Sequence, residues 1–312
     1  EGNYHLQAGS PCINTGDPTF PLEADGTIID MGALSTGDGD PPGEGTEVSG
    51  EVGGQTWTKE GNPYTVVGYL YVSEGTTLTI EPGVEVQFDG WGMCVDGILH
   101  AVGTPEEKII LDCGMIHIHG ITTGGSIIQH ATIQNAAYGA PLVIQGMSSP
   151  PFRLSHSIIH NNEEALSVSG NAEIYNNTIT QNVAGAIHVA QSVVIKNNII
   201  TENGEYGIKY WDNWAEVPTL SHNNVWGHIN DYVNISSDPT DISVDPLFVD
   251  DDYHLQEFYS PCIDKGHPDD DFSQEPYYNG NRINMGAYGN TPEAARTRRP
   301  RCPPWPSSRR SR

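Results

Sequence analysis

The sequence predicts an all-β solenoid in which short parallel strands stack coil upon coil around one long core. Three observations predict it. First, four-residue groups recur: His130-Ala131-Thr132-Ile133, His156-Ser157-Ile158-Ile159, Asn176-Asn177-Thr178-Ile179, Asn197-Asn198-Ile199-Ile200 and His222-Asn223-Asn224-Val225, with steps of 26, 20, 21 and 25 residues between first members. Second, apolar and polar residues alternate over short stretches, as strands require, and few stretches carry a helical period. Third, the 312 residues include 35 Gly and 22 Pro but only 17% charged residues, a composition rich in turns. A coil of this length cannot bury its apolar face alone, so coils stack, and the spacing suggests about eight of them.

Each part of the chain follows from its residues. Residues 1–36 contain YHLQAGSPCINTGDP from Tyr4 and IIDMGALS ending at Ser35. The same motif returns as YHLQEFYSPCIDKGHP from Tyr253 and RINMGAYG ending at Gly289. Residues 1–36 therefore read as the terminal segment of a preceding unit, able to cap an open sheet edge. Residues 37–48 are Gly, Pro and acid, and read as a linker. Residues 49–290 are the solenoid. Two residues before each recurrent group stands an apolar residue: Ile128, Leu154, Ile174, Ile195 or Leu220. Three residues after the middle groups stands Asn162, Asn182 or Asn203, with Ala136 and His228 in that place in the outer two. A second apolar pair follows, as in Ile187 and Val189 or Ile208 and Tyr210. An Asn amide both donates and accepts, so it can bond its equivalent in the next coil, and Asn tolerates the left-handed backbone of a tight turn.

Charge narrows the partners. The formal charge is −26, but residues 291–312 alone carry seven Arg and one acid. Residues 1–290 hold 39 acids and only seven bases. Such a body repels phosphate backbones and anionic headgroups, which excludes a nucleic-acid role, and no apolar run approaches the ~20 residues of a membrane span. The Arg/Pro/Ser tail matches nothing else in the chain and reads as non-native sequence beyond the domain.

The recurrent N-N-x-I-x-x-N pattern resembles the right-handed parallel β-helix proteins of the pectate-lyase-like superfamily, over most of residues 57–290. TLTIEPGVEVQF at 77–88 and GILHAVGTPEEKIIL at 97–111 look like the opening coils of secreted members. DPLFVDDDYHLQ at 245–256, SPCIDKG and INMGAYG look like their closing segment. The resemblance implies a secreted or cell-surface location. The family's lyases place Ca²⁺-binding acids and an Arg or Lys base on one face. Here residues 154–281 contain no Arg, and Lys196, Lys209 and Lys265 are their only lysines. The polygalacturonase branch pairs clustered Asp with Gly-His-Gly and Arg-Ile-Lys, of which Gly207-Ile208-Lys209 is a fragment. No catalytic role carries over.

From the residues themselves, the strongest cluster is Glu205, Tyr206, Lys209, Tyr210, Trp211, Asp212, Trp214 and Glu216. Aromatic rings stack on sugar faces while carboxylates accept from hydroxyls. Lys209 should point outward in one column with His188, Ser167 and Val143. The candidate catalytic residues are Lys209, His188, Tyr210, Asp212 and Glu205, and the candidate binding residues are Trp211, Trp214 and Tyr206. A Lys or His base beside Tyr suits proton abstraction from a uronic acid; two carboxylates suit glycoside hydrolysis.

Metal and thiol candidates are fewer. Asp250, Asp251 and Asp252 offer hard oxygens for Ca²⁺, as do Asp38 with Asp40 and Asp269–Asp271, all without EF-hand spacing. His117 and His119 alternate on a strand and share a face, where Zn²⁺ is conceivable. His130, His156 and His222 occupy the coil position of Asn176 and Asn197 and extend that polar stack. Cys94 and Cys113, about one coil apart, could form a disulfide, and Cys262 reads as a small buried residue. No CxxC or G-x-S-x-G occurs. The reading is an extracellular carbohydrate-active or carbohydrate-binding module, a monomer or one part of a tandem array, with a polysaccharide or cell-surface glycan as partner. The alternative is a non-catalytic, adhesin-like structural repeat.

Overall fold

The computed structural model describes residues 45–112, 114–119, 125–146, 149–211 and 216–298. Within these the chain is a parallel β-solenoid of about seven turns, one fewer than the repeat spacing suggests. Each full turn contributes a strand to three faces. Face one is an eight-stranded sheet from Thr56–Trp57 to Thr219–Ser221. Face two runs from Glu85–Gln87 to Asn224–Trp226, and face three from Gly92–Val95 to Asn230–Val233. The long strand Tyr64–Val72 spans the corner between faces two and three and joins them into one sheet of 16 strands.

The apolar columns seen in the sequence are the registers of these faces. Ile128, Leu154, Ile174, Ile195 and Leu220 pair in succession on face one. Ile133, Ile159, Ile179, Ile200 and Val225 do so on face two. Leu142, Leu166, Ile187 and Ile208 do so on face three. All of them point inward and are buried. β-Branched residues fit this pleated, fully covered surface, and each completely buried Ile or Leu contributes roughly 1.5–3 kcal/mol.

Two corners of the central turns share one device: a residue at left-handed φ followed by a buried small or polar residue, Ala or Ser in the earlier turns and Asn in the later ones. At the first corner His130, His156, Asn176, Asn197 and His222 have φ of 48, 51, 53, 59 and 54°. At the second, Asn135, Asn161, Gln181 and Glu202 have φ of 63, 55, 55 and 52°. The histidines thus hold the Asn position, as the spacing predicts. The two properties attributed to Asn fall on adjacent residues: the first takes the strained backbone, and the second turns inward and forms the ladder.

The first ladder runs Ser157, Asn177, Asn198, Asn223. Asn177 donates from its backbone N (2.9 Å) and Nδ2 (3.0 Å) to Oδ1 of Asn198, which donates likewise to Asn223 at 3.1 and 3.0 Å. Asn223 donates from its backbone N (2.8 Å) and Nδ2 (3.2 Å) to Oδ1 of Asp241. The second runs Asn162, Asn182, Asn203, ending on His228, whose ring meets Nδ2 of Asn203 at 3.1 Å through Nε2 and Asp231 at 2.9 Å through Nδ1. Each ladder amide also donates to main-chain carbonyls, as Asn182 does to Ile159 (3.2 Å) and Thr180 (3.0 Å).

Beyond Val233 the chain folds back as a strap over the outside of face two. Nδ2 of Asn176 donates to the carbonyls of Asn284 (3.1 Å) and Gly286 (3.3 Å), and Oδ1 of Asn197 accepts from the backbone of His267 (2.7 Å). Gly286 has φ +89°, and a Cβ on Gly289 would stand 2.4 Å from Nδ2 of Asn176, so both glycines permit this approach. The strap closes two small apolar clusters, one of Ile199 with Leu255, Cys262, Ile263 and Met285, the other of Ile158 with Tyr253, Ala287 and Tyr288. It continues past residue 290: Ala294 and Ala295 are buried, and Arg296 grips Glu257 at 2.7 and 2.9 Å. These residues are therefore packed against the strap. Residues 1–36, 37–44 and 299–312 lie outside the described residues.

Two predictions follow from the corners. Asn182→Ala orphans a buried backbone N–H and two carbonyls, at ~1–3 kcal/mol per group. Denaturant unfolding should show a loss of at least ~3 kcal/mol, and a change within ~0.5 kcal/mol, the range of a surface substitution, contradicts the ladder's role. The second concerns acid. Burial lowers the pKa of His130 to about 4 and that of His156 to about 3, from 6.5. The native state favours both rings neutral, so their contribution is complete above pH 6.5 and is lost as pH falls from there towards 3–4. The double variant His130→Asn/His156→Asn should flatten the fall in Tm across that window; an unchanged profile contradicts it.

Candidate functional site

Face three carries the sequence-predicted cluster. Successive registers pair Cys94 with His117, His117 with Val143, Val143 with Ser167, Ser167 with His188, and His188 with Lys209. These alternate with inward residues, so they form one outward column with rungs ~4.8 Å apart. The predicted outward column of Lys209, His188, Ser167 and Val143 is thus present.

Around its end the side chains converge. The His188 ring centroid lies 4.3 Å from that of Trp211 and 6.1 Å from that of Tyr206. Nζ of Lys209 stands 5.1 Å from the centre of the Tyr206 ring. The Tyr206 hydroxyl donates to Oε1 of Glu164, and the same carboxylate lies 3.8 Å from Nδ1 of His188. Nε2 of His188 is buried with no hydrogen-bond partner among the described residues. Burial, and secondarily the Lys209 charge, lowers the His188 pKa and favours the neutral imidazole. Burial, then the Glu164 hydrogen bond, raises that of the Tyr206 phenol.

Glu164 was not among the candidates. It lies two coils from Tyr206, and the contact depends on Gly185 between them. Glu164, Gly185 and Tyr206 share one register column. A Cβ on Gly185 would stand 2.5 Å from the Tyr206 ring, so only glycine lets that ring lie across the middle coil. The only sequence signal was a glycine in a strand, which often marks a close approach.

Other candidates fall elsewhere. Tyr210 turns inward: its ring packs in the main core and its hydroxyl donates to the Glu216 carbonyl at 3.2 Å, away from the outward column. Glu205 is exposed beside Tyr206, and its charge contributes to raising that phenol's pKa. Trp211 is 45% exposed. Asp212 and Trp214 lie outside the described residues. At the other end of the solenoid, a groove of about 500 Å³ is lined by Tyr69, Trp91, Met115 and Tyr138, with Asp89 and Asn135 beside them. The Tyr69 and Trp91 rings meet edge to face at 5.3 Å. These aromatics are scattered over 70 residues of sequence, and only the coiling assembles them.

The metal and thiol candidates lie as follows in the fold. The Asp250 carboxylate accepts from the His254 backbone at 3.0 Å and meets its ring at 2.9 Å, and Asp252 offers its carbonyl to Tyr288. Among the described residues Asp250, Asp251 and Asp252 do not bring three side-chain ligand atoms together. Asp270 is likewise held by Lys196 (2.8 Å) and Asn197 (2.7 Å). Asp38 and Asp40 lie outside the described residues. His117 and His119 do share a face, with ring centroids 4.0 Å apart. Cys94 is a free thiol whose register partner is His117, so a coil here holds 23 residues. Cys113 lies outside the described residues. Cys262 is buried, accepts from Nδ2 of Asn224 at 3.2 Å, and has its pKa pushed up to about 12 by burial.

Fold and site together define a parallel β-solenoid protein with polar and aromatic side chains along one outer face. No known family profile matches the chain, and no solved structure does. Over 51 residues it is 43% identical to Protein bark beetle of Drosophila melanogaster, which is 16% of this chain and 2% of that protein. The chain therefore spans a small fraction of that relative's length. Among the described residues no helix is long and apolar enough to cross a membrane.

Gly185→Ala should displace the Tyr206 ring and destabilise the protein by ~1–3 kcal/mol, as overpacking does. In a double-mutant cycle, Tyr206→Ala should relieve most of that cost. Additive losses would show that Gly185 does not serve the ring.

Proposed function

We propose that this protein is a secreted or cell-surface member of the pectate-lyase-like superfamily whose third face binds an acidic polysaccharide and cleaves it by elimination. The observation that carries this reading is the convergence of Lys209, His188 and Trp211 on adjacent rungs of one outward face. In a body with seven bases before residue 291, a cation beside an exposed indole favours a uronic acid over a neutral sugar. The Trp211 ring offers a stacking surface, and Lys209 offsets the substrate carboxylate. Neutral His188 takes the proton next to that carboxylate; the bond to the leaving oxygen breaks, a carbon–carbon double bond forms, and the leaving oxygen takes a proton from solvent. Hydrolysis needs two working carboxylates ~5–9.5 Å apart. Glu164 is occupied by the Tyr206 hydroxyl, which favours elimination. Ser167 and the aromatic groove at Tyr69 and Trp91 extend the same face into an elongated surface.

A second reading is a non-catalytic cell-surface module in a tandem array. It is favoured by the closing motif of residues 253–289, which recurs at residues 4–35.

The test is a screen of the full chain against polyuronates and neutral polysaccharides, with and without EDTA, following unsaturated product and binding. Elimination predicts product from a polyuronate, lowered at least ~100-fold by His188→Ala or Lys209→Ala, the loss expected of an acid–base group. Binding without cleavage favours the structural module. Neither binding nor cleavage overturns the carbohydrate reading.

A further inference from the structure

The same face carries a second constellation at its opposite end. Cys94 sits on the strand Gly92–Val95 with Asp96 just beyond it, and His117 and His119 lie on the next strand, Met115–His119. Residues two apart on a strand share a face, so adjacent strands set these four side chains in a square. Three of them converge. Sγ of Cys94 lies 3.5 Å from Nδ1 of His119, and that nitrogen lies 2.8 Å from Oδ1 of Asp96. One ligand atom from each of the three residues lies within 4.8 Å of the others. Among the described residues no other three His, Cys, Asp or Glu side chains do this.

Two arrangements use such residues. In a nucleophilic triad the imidazole meets the thiol through one ring nitrogen and the carboxylate through the other. Here both contacts fall on Nδ1, so His119 cannot take a proton from Cys94 while Asp96 orients it. Three donor atoms around one point is instead the geometry of a metal centre. With bonds of ~2.3 Å to sulfur and ~2.05 Å to nitrogen, a tetrahedral site has a sulfur–nitrogen edge of ~3.5 Å. That is the distance from Cys94 to His119. The edge from His119 to Asp96 would open by ~0.5 Å. Beside them, Nε2 of His117 is buried.

We propose that Cys94, Asp96 and His119 form a site for a divalent transition metal of the zinc class, with three protein ligands and a fourth position open to water. Thiolate and imidazole select such a metal over Ca²⁺ or Mg²⁺, which take oxygen ligands. The site lies four rungs from His188, ~19 Å along the column, and does not depend on the elimination chemistry proposed there.

The test uses the full chain, stripped with EDTA and titrated with Zn²⁺ by calorimetry and with Co²⁺ by absorption. The expected result is one tight equivalent of Zn²⁺ and a thiolate-to-cobalt charge-transfer band. Cys94→Ser should abolish the band, and His119→Ala should weaken Zn²⁺ binding by more than the ~10–100-fold typical of losing an outer-shell partner. Circular dichroism of each stripped variant distinguishes a lost ligand from a lost fold. Cys262→Ser should leave the band unchanged. Absence of tight Zn²⁺ binding, or a band and affinity that survive Cys94→Ser and His119→Ala together, overturns the proposal.

Discussion

The fold depends on satisfying polar groups at corners that lie inside the protein. A solenoid turn must change direction between its three faces, and each change leaves backbone N–H and C=O groups with no strand to pair with. An unpaired buried polar group costs ~1–3 kcal/mol, and these corners repeat in turn after turn. The Asn ladders answer that cost. Each amide accepts from the previous turn, donates to the next, and supplies a hydrogen to carbonyls of its own corner. Because every step donates in the same direction, each hydrogen bond polarises the next.

The strap depends on the same corners from the other side. The left-handed residue preceding each first-corner ladder position turns its side chain outward, and Asn176 and Asn197 meet the backbone of residues 266–289 there. Residues 176 to 198 thus organise the core with one member of each pair and the closing segment with the other. Thr178 and Thr180 are buried on what would otherwise be an exposed sheet face. Glu275 belongs to this closure: burial pushes its carboxyl up to about 7 while it accepts from the Asn284 and Asn290 backbones.

Most of the solenoid was legible because its determinants are local and repeated. Alternation located the strands, and the Asn pairs located the first corner even where His130, His156 and His222 replaced Asn. The outward position of Lys209 and His188 followed from the buried neighbours Ile208 and Val189. What could not be read depended on distances between coils. Glu164 reaches Tyr206 over 42 residues only because Gly185 lacks a side chain. Coil length varies, so the sequence did not show that the register partner of Cys94 is His117. The strap has no period, and its sequence announced a terminus without saying where it docks.

The way the ladders end constrains how such a protein can grow. Both finish on an aspartate, Asp241 in one case and Asp231 through His228 in the other. An ionised carboxylate accepts but has no hydrogen to hand on. A duplicated coil inserted between residues 156 and 203 would find a donor on one side and an acceptor on the other, and the relay would simply lengthen. A coil appended after residue 241 would find the relay already closed. The aspartates act as punctuation: they leave the interior open to expansion by whole repeats and fix the point at which the repeating part of the chain stops.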